Sequence, residues 1–331
     1  MRFYRIAVLG SNSFAGASFV ANALERGAQL IGFNRSAEGA DLFLPYRTLA
    51  NSINYKFLQA DVNSDNDLIF LELERFRPQV IVDFAGQGMV AESWQNPVQW
   101  YKTNILAKVQ LHEYLRRVDW LERYVRISTP EVYGNQERSV KETWAYDPST
   151  PYAVSHAAID MSLRAYHAQY GFPVVFTRFA NFYGPGQQLY RIIPRTIIYA
   201  LTGQKLQLHG GGTSTRAFIH CQDVANGILA SLELGEPGEI YHFSSERYLT
   251  IRAVVELICE RIDIDFFTLA EVAPDRPGKD QTYLMDSSRA RNELGWHDRI
   301  SLEEGIDQTI DWVKANLEVI RQLPLNYVHK P

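Results

Sequence analysis

Short apolar runs alternate with longer amphipathic stretches along the first half of the chain. Ile6-Ala7-Val8-Leu9 is an apolar block that ends at a glycine, and from Ala15 to Arg26 the apolar positions Phe19, Val20 and Leu24 recur at helical spacing. That order predicts a strand, a tight turn and a helix. Further apolar runs at Gln29 to Phe33, Lys56 to Gln59, Val80 to Phe84, Arg123 to Ser128 and Val174 to Arg178 are separated by helix-patterned segments. Such alternation predicts an α/β fold with a parallel, doubly wound sheet. After about residue 182 the alternation loosens, and Gly210-Gly211-Gly212, Gly235-Glu236-Pro237-Gly238 and Pro274 to Gly278 mark turns. A smaller capping region is expected there.

Composition narrows the function classes. The 331 residues are 46% hydrophobic, enough for a sizeable core, and the net charge of -5 gives no basic footprint for nucleic acid. Only Cys221 and Cys259 are present, at no metal-ligand spacing, so two buried free thiols are expected and no metal site. No long apolar segment predicts a membrane span, and Met1 leads almost directly into a strand, so the chain is expected to be cytoplasmic.

Candidate chemistry begins at the first turn. Gly10-Ser11-Asn12-Ser13-Phe14-Ala15-Gly16 lies between the first strand and the first helix, where a helix N-terminus can receive a pyrophosphate; Ser13 stands at the usual middle glycine. A plain strand-to-helix turn would read similarly. After the second strand comes Asn34-Arg35-Ser36 in place of an acidic residue, and an arginine there accommodates a 2′-phosphate, so NADP is favoured over NAD. Farther on, Tyr152 and His156 are four residues apart at the start of a predicted helix with Pro151 in its first turn, so both project from one face.

These motifs, with Ser128-Thr129-Pro130-Glu131-Val132-Tyr133-Gly134, Arg178-Phe179-Ala180-Asn181-Phe182-Tyr183-Gly184-Pro185-Gly186 and Arg276-Pro277-Gly278-Lys279-Asp280, resemble the extended short-chain dehydrogenase/reductase family. Within it the chain is most similar in motif to the sugar-nucleotide 4,6-dehydratases acting on dTDP-glucose and GDP-mannose. The resemblance spans nearly the whole chain. It implies a Rossmann-type domain over residues 1–181, with a return segment near 217–250, and a mainly substrate-binding region over 182–331.

The resemblance also implies site residues. Thr129, Glu131, Tyr152 and His156 would be catalytic. Gly10, Asn12, Ser13, Phe14, Gly16, Asn34, Arg35, Ser36, Asp61, Val62, Phe84, Ala85 and Gly86 would line the cofactor together with Tyr152 and His156. Gln87, Ser93, Asn181, Ile193, Pro194, Arg216 and Arg276 would meet a nucleotide-diphospho-sugar. A helix N-cap is the plain alternative for Asp61. His220 and Asp223 are as consistent with structural roles as with functional ones. A homodimer through the helices around Val98 to Arg117 and Pro151 to Tyr170 is implied as well.

Two departures bear on chemistry. The family lysine is His156 here; at its ordinary pKa an imidazole is only about a quarter charged at pH 7, a weaker aid to a tyrosine phenolate than an ammonium. Between Thr129 and Glu131, where the dTDP-glucose enzymes carry an aspartic acid, stands Pro130, which has no proton to give a leaving hydroxyl. The expected activity is therefore a 4,6-dehydratase in which Glu131 works both ways. An epimerase, 4-dehydrogenase or decarboxylase of the same family, or a catalytically weak sugar-nucleotide or NADP binding protein, are the alternatives.

Overall fold

The computed structural model describes residues 4–136, 138–274, 282 and 284–330. Six strands follow the apolar runs: β1 (Arg5–Leu9), β2 (Gln29–Asn34), β3 (Tyr55–Gln59), β4 (Val80–Asp83), β5 (Arg123–Ser128) and β6 (Val174–Phe179). Later come β7 (Asn181–Tyr183), β8 (Leu206–His209), β9 (Thr215–His220), β10 (Ile240–Phe243), β11 (Tyr248–Thr250) and β12 (Ala270–Ala273). The main sheet has seven parallel strands in the order β10-β6-β5-β4-β1-β2-β3. This is the Rossmann-type, doubly wound architecture. Its order reverses between β1 and β4, which opens a crevice at the carboxyl ends of those strands.

The central strands are apolar because both faces are covered. Side chains of β1, β4 and β5 alternate between two cores: Val8, Val82 and Val125 pack on one face with Phe19, Val20 and Leu24, while Leu9, Ile81 and Tyr124 pack on the other with Leu111 and Leu163. Each such fully buried side chain contributes about 1.5–3 kcal/mol.

Helices α1 (Phe14–Glu25), α2 (Asn66–Phe76), α3 (Pro97–Tyr101), α4 (Ala107–Leu115) and α5 (Pro151–Tyr170) join the strands of the main sheet. A π-helical turn, Lys102–Leu106, links α3 to α4. It carries Asn104, which accepts from the Gln87 amide at 2.7 Å and donates to Ser155 Oγ at 2.9 Å, tying α5 to the loop after β4.

The remaining strands form a three-stranded sheet, β11-β9-β7, and a two-stranded sheet, β12-β8. They pack with α6 (Ile192–Thr202) and α8 (Ile251–Ile262) around separate apolar clusters, while α7 (Cys221–Leu234) packs with α1 in the core of the main sheet. Both cysteines are free and buried. Among the described residues no helix is long and apolar enough to cross a membrane.

Candidate active site

Gly10 ends β1 at φ +78°, and the chain enters α1 within one turn. Ser13 makes that turn work without the middle glycine: its Oγ accepts from Gly16 N at 3.1 Å and donates to Gly10 O at 2.7 Å. A Cβ on residue 16 would lie 2.3 Å from the Gly10 carbonyl oxygen, so glycine is required there. The result is a 12-residue helix whose first amides open into the crevice, a place suited to an anion.

A cavity of about 140 Å³ continues from this turn, lined by Gly10, Ser13, Asn34, Arg35, Ser36, Asp61, Val62, Phe84, Ala85, Gly86 and Gln87. Ten of these are positions expected to hold a cofactor. Asn12 stands behind them, its Nδ2 donating to Ser36 O at 3.4 Å, and Phe14 is buried against Phe182 with ring centroids 5.9 Å apart. Asp61 is not a helix cap; it accepts from Asn63 N at 2.8 Å, and Asp65 precedes α2. A helix N-terminus, a polar corner at 34–36 and apolar walls fit the pyrophosphate, ribose and base of a dinucleotide.

The C-terminal segment reaches the same corner. Arg35 Nη2 donates to Lys330 O at 3.1 Å, Gln87 Nε2 donates to it at 2.9 Å, and Lys330 Nζ donates to Ser36 Oγ at 3.0 Å. His329 stacks on Trp100 with centroids 5.4 Å apart and planes 6° apart. Two cationic side chains therefore meet at the Arg35-Ser36 turn. Lys330 carries no local sequence signal, because it is brought there across 294 residues.

On the other side of the crevice, Thr150 caps α5 by accepting from Ala153 N at 3.1 Å, and Pro151 opens the first turn. Tyr152 and His156 lie along one face with ring centroids 4.6 Å apart. Thr129 accepts from Glu131 N at 3.3 Å, which orders the turn Pro130–Tyr133, and its side chain lies close enough to the Tyr152 phenol to favour its ionised form. Burial first, then the Glu131 carboxylate, push the Tyr152 phenol above its ordinary value, against the Thr129 hydrogen bond and the Arg191 and Arg126 charges. The structure thus brings Thr129, Glu131, Tyr152 and His156 together. Ser93 is fully buried behind them; its Oγ donates to Val90 O at 2.6 Å and accepts from Tyr152 N at 3.2 Å.

Under this site lies a buried ionic cluster that the strand pattern does not announce. Lys108 Nζ contacts Asp83 Oδ1, Arg126 Nε donates to Asp160 Oδ1 at 3.2 Å, and Arg178 Nη2 donates to Asp160 Oδ2 at 3.1 Å. Arg126 Nη2 also donates to His156 Nδ1 at 3.0 Å. Burial, and then the charges of Arg126, Lys108 and Arg178, hold His156 well below its ordinary value. This corrects the expectation of a quarter-charged imidazole: His156 is neutral at pH 7. Arg126 is the residue that sequence reading missed. Its signal was a charge in the middle of the otherwise apolar run Arg123 to Ser128.

The expected substrate positions are more scattered. Asn181 is partly exposed at the start of β7, beside the crevice edge of β6. Ile193 and Pro194 are buried in α6, Ile193 within the C-terminal apolar core. Arg216 is buried on β9, donating to Thr215 O at 2.8 Å. Arg276 and the motif from Pro277 to Asp280 lie outside the described residues. His220 and Asp223 are accounted for structurally: His220 caps α7, and Asp223 accepts from the amides of Arg299 and Ile300, each at 3.1 Å. No cluster of metal-ligating side chains occurs among the described residues.

Comparison with known proteins agrees with this fold. The family described as GDP-mannose 4,6 dehydratase matches residues 8–309. A dTDP-glucose 4,6-dehydratase from Xanthomonas campestris is 31% identical over 93% of both chains. A trifunctional UDP-glucose 4,6-dehydratase, 3,5-epimerase and reductase from Arabidopsis thaliana is 33% identical over 81% of this chain, which spans only 40% of that relative's length. The solved structure of a dTDP-glucose 4,6-dehydratase from Streptomyces venezuelae, with NAD bound, superposes with a TM-score of 0.87 at 30% identity, covering 95% of this chain and 98% of the other.

Proposed function

The chain belongs to the GDP-mannose 4,6 dehydratase family, and from that membership we propose that it is a nicotinamide-dependent sugar-nucleotide 4,6-dehydratase. The observation that carries the reading is the convergence of Thr129, Glu131 and Tyr152 beside the cofactor-shaped crevice, with Thr129 and Glu131 both close enough to act on the Tyr152 phenol. A dinucleotide held by Gly10, Ser13, Arg35, Ser36 and the walls from Phe84 to Gly86 would supply a hydride acceptor for sugar C4 and a hydride donor for C6. Thr129 orients the O4 hydroxyl, and Tyr152 takes its proton. Glu131 takes the proton from C5, acidified by the neighbouring carbonyl, and passes it to the C6 oxygen, which leaves as water; the enolate formed when C6 is reduced takes a new proton at C5 from Glu131, resupplied by solvent, and Tyr152 gives up the O4 proton to solvent. Gln87, Ser93, Asn181, Ile193, Pro194, Arg216 and Arg276 belong to the substrate side of the proposal, with 1–181 as the cofactor half and 182–331 as the substrate half.

NADP is the form that the Arg35-Ser36 corner favours, although the solved relative was captured with NAD. The proposal includes a cytoplasmic homodimer. Its support is the exposure of Val98, Leu106, Val154 and Met161 on the helices expected to pair, at 69%, 62%, 37% and 60%.

Incubation with dTDP-glucose, UDP-glucose and GDP-mannose tests the activity, each product being analysed by mass and proton spectra. The expected product from one of them is a 4-keto-6-deoxy sugar, lighter by one water, with no net change in cofactor. Pro130 favours a second reading: buried at the first position of its turn and without a side-chain proton, it leaves the departing hydroxyl only Glu131 as a donor. A product of unchanged mass and inverted configuration would establish an epimerase instead.

A further inference from the structure

The lysine that the family uses beside its tyrosine is absent, and the imidazole in its place is uncharged, so the positive charge beneath the phenolate must come from elsewhere. We propose that Arg126 supplies it: donating to His156 Nδ1 at 3.0 Å, it fixes the imidazole as an Nε2–H donor toward the crevice and places a permanent cation under the Tyr152–His156 pair. The inference rests on the reading of Tyr152 as proton acceptor.

Three observations support it. A guanidinium only donates, so the Nδ1 that meets it must be the acceptor, and the single proton of a neutral ring is then on Nε2. Arg126 is also more than the local carboxylates require. Asp83 has Lys108, and Asp160 has Arg178 and Ser128 Oγ at 2.5 Å, so three cations face two carboxylates and one positive charge is left over. The surplus lies at the floor of the site, buried from water, where a fixed charge acts strongly on a phenolate. Finally, a guanidinium stays charged at every pH at which the protein is folded, whereas a histidine alone does not.

The groups facing His156 are Arg126 and Ser128 from β5, Lys108 from α4, Asp83 from β4, Arg178 from β6, and Tyr152 and Asp160 from its own helix. The two carboxylates among them are paired with Lys108 and Arg178, and the cations oppose protonation of the ring. Arg126 is thus a positioning residue acting through His156, and the unit Arg126–His156 stands in for one lysine.

Nitrogen-15 spectra of histidine-labelled protein without cofactor test the tautomer directly, with the resonance assigned by His156→Gln. The expected result between about pH 5 and 8 is a neutral ring, protonated on Nε2. A ring protonated on Nδ1, or on both nitrogens at pH 7, overturns the proposal.

The charge is tested in NAD-loaded protein without substrate, by following the Tyr152 Cζ resonance against pH in tyrosine-labelled samples, with Tyr152→Phe for assignment. Arg126→Met should reduce the Tyr152 acid dissociation constant about tenfold or more, and adding His156→Lys to that variant should restore it. An unmoved titration in Arg126→Met, or no recovery in the double variant, shows that Arg126 only fills the core. Should Arg126→Met fail to fold, the tautomer measurement on the unaltered protein decides alone. Neither readout needs turnover. Failure of the activity proposal itself would show separately, as Tyr152→Phe retaining product formation.

Discussion

Tyr152 and His156 face each other with ring centroids 4.6 Å apart and planes inclined by 50°, an arrangement fixed by one turn of α5. The phenol is pushed above its ordinary value and the imidazole well below its own, so the pair rests as neutral tyrosine beside neutral histidine. A rate limited by the phenolate fraction should therefore fall as pH falls. His156→Lys adds a charge beside the phenol and should keep activity while moving that acid limb to lower pH. His156→Ala loses the imidazole donor and should slow hydride transfer by about 10² or more. Single-turnover cofactor reduction across pH, measured for the three proteins, reads both effects. An alanine variant as fast as the unaltered protein would reduce His156 to packing.

Glu131 is placed by the Thr129 hydroxyl, which accepts from its amide, and it is close enough to Tyr152 to raise the phenol. Between Thr129 and Glu131 the turn offers only Pro130. Glu131→Gln should then still reduce cofactor in the presence of substrate but stall before water is lost. The check is solvent deuterium at C5: incorporation as fast as in the unaltered protein would remove Glu131 from that step.

Much of this site was legible because its determinants are local. The apolar runs ended at glycine or polar residues, so β1 to β6 lie within about two residues of where their patterns place them, and Thr150-Pro151 marks the start of α5 by capping chemistry. What could not be read is whatever depends on distant pairing. Arg126 meets His156 across 30 residues, and Lys330 meets Ser36 across 294. The depressed pKa of His156 follows first from burial and then from Arg126, Lys108 and Arg178, which converge from three separate elements, so periodicity within α5 says nothing of it.

The corner of Asn34, Arg35 and Ser36 gives a prediction about cofactor choice. Asn34 Nδ2 donates to Ser36 O at 3.1 Å, which shapes the turn, and Lys330 adds an ammonium at Ser36 Oγ. A 2′-phosphate would find charge-assisted donors there, while a bare 2′-hydroxyl finds no carboxylate among these three residues. Arg35→Asp should weaken NADP binding by about tenfold or more and leave NAD binding much less affected. Calorimetric titration of both cofactors reads it, and equal affinities of the unaltered protein would remove its basis.

The buried histidines predict the response of stability to acid. Burial lowers His112 to about 3, His220 to about 4 and His242 to about 3, with the Arg178 charge adding to the last, and it lowers His156 as well. Each is neutral when folded and free to take a proton near pH 6.5 when unfolded, so the unfolded state binds more protons as pH falls. The stability each confers is complete above about pH 6.5 and is lost progressively toward pH 4, at about 1.4 kcal/mol per pH unit per group. Glu142 and Asp223 act in the opposite sense, because burial raises both and their folded forms hold protons longer. Four histidines outweigh two carboxylates, so stability should fall on descending from pH 6 to pH 5. Urea midpoints measured at half-unit steps should fall over that range, and replacing His112 by Asn or Gln should reduce the slope. A midpoint that stays level from pH 7 to pH 5 would mean that these histidines are not neutral in the folded protein.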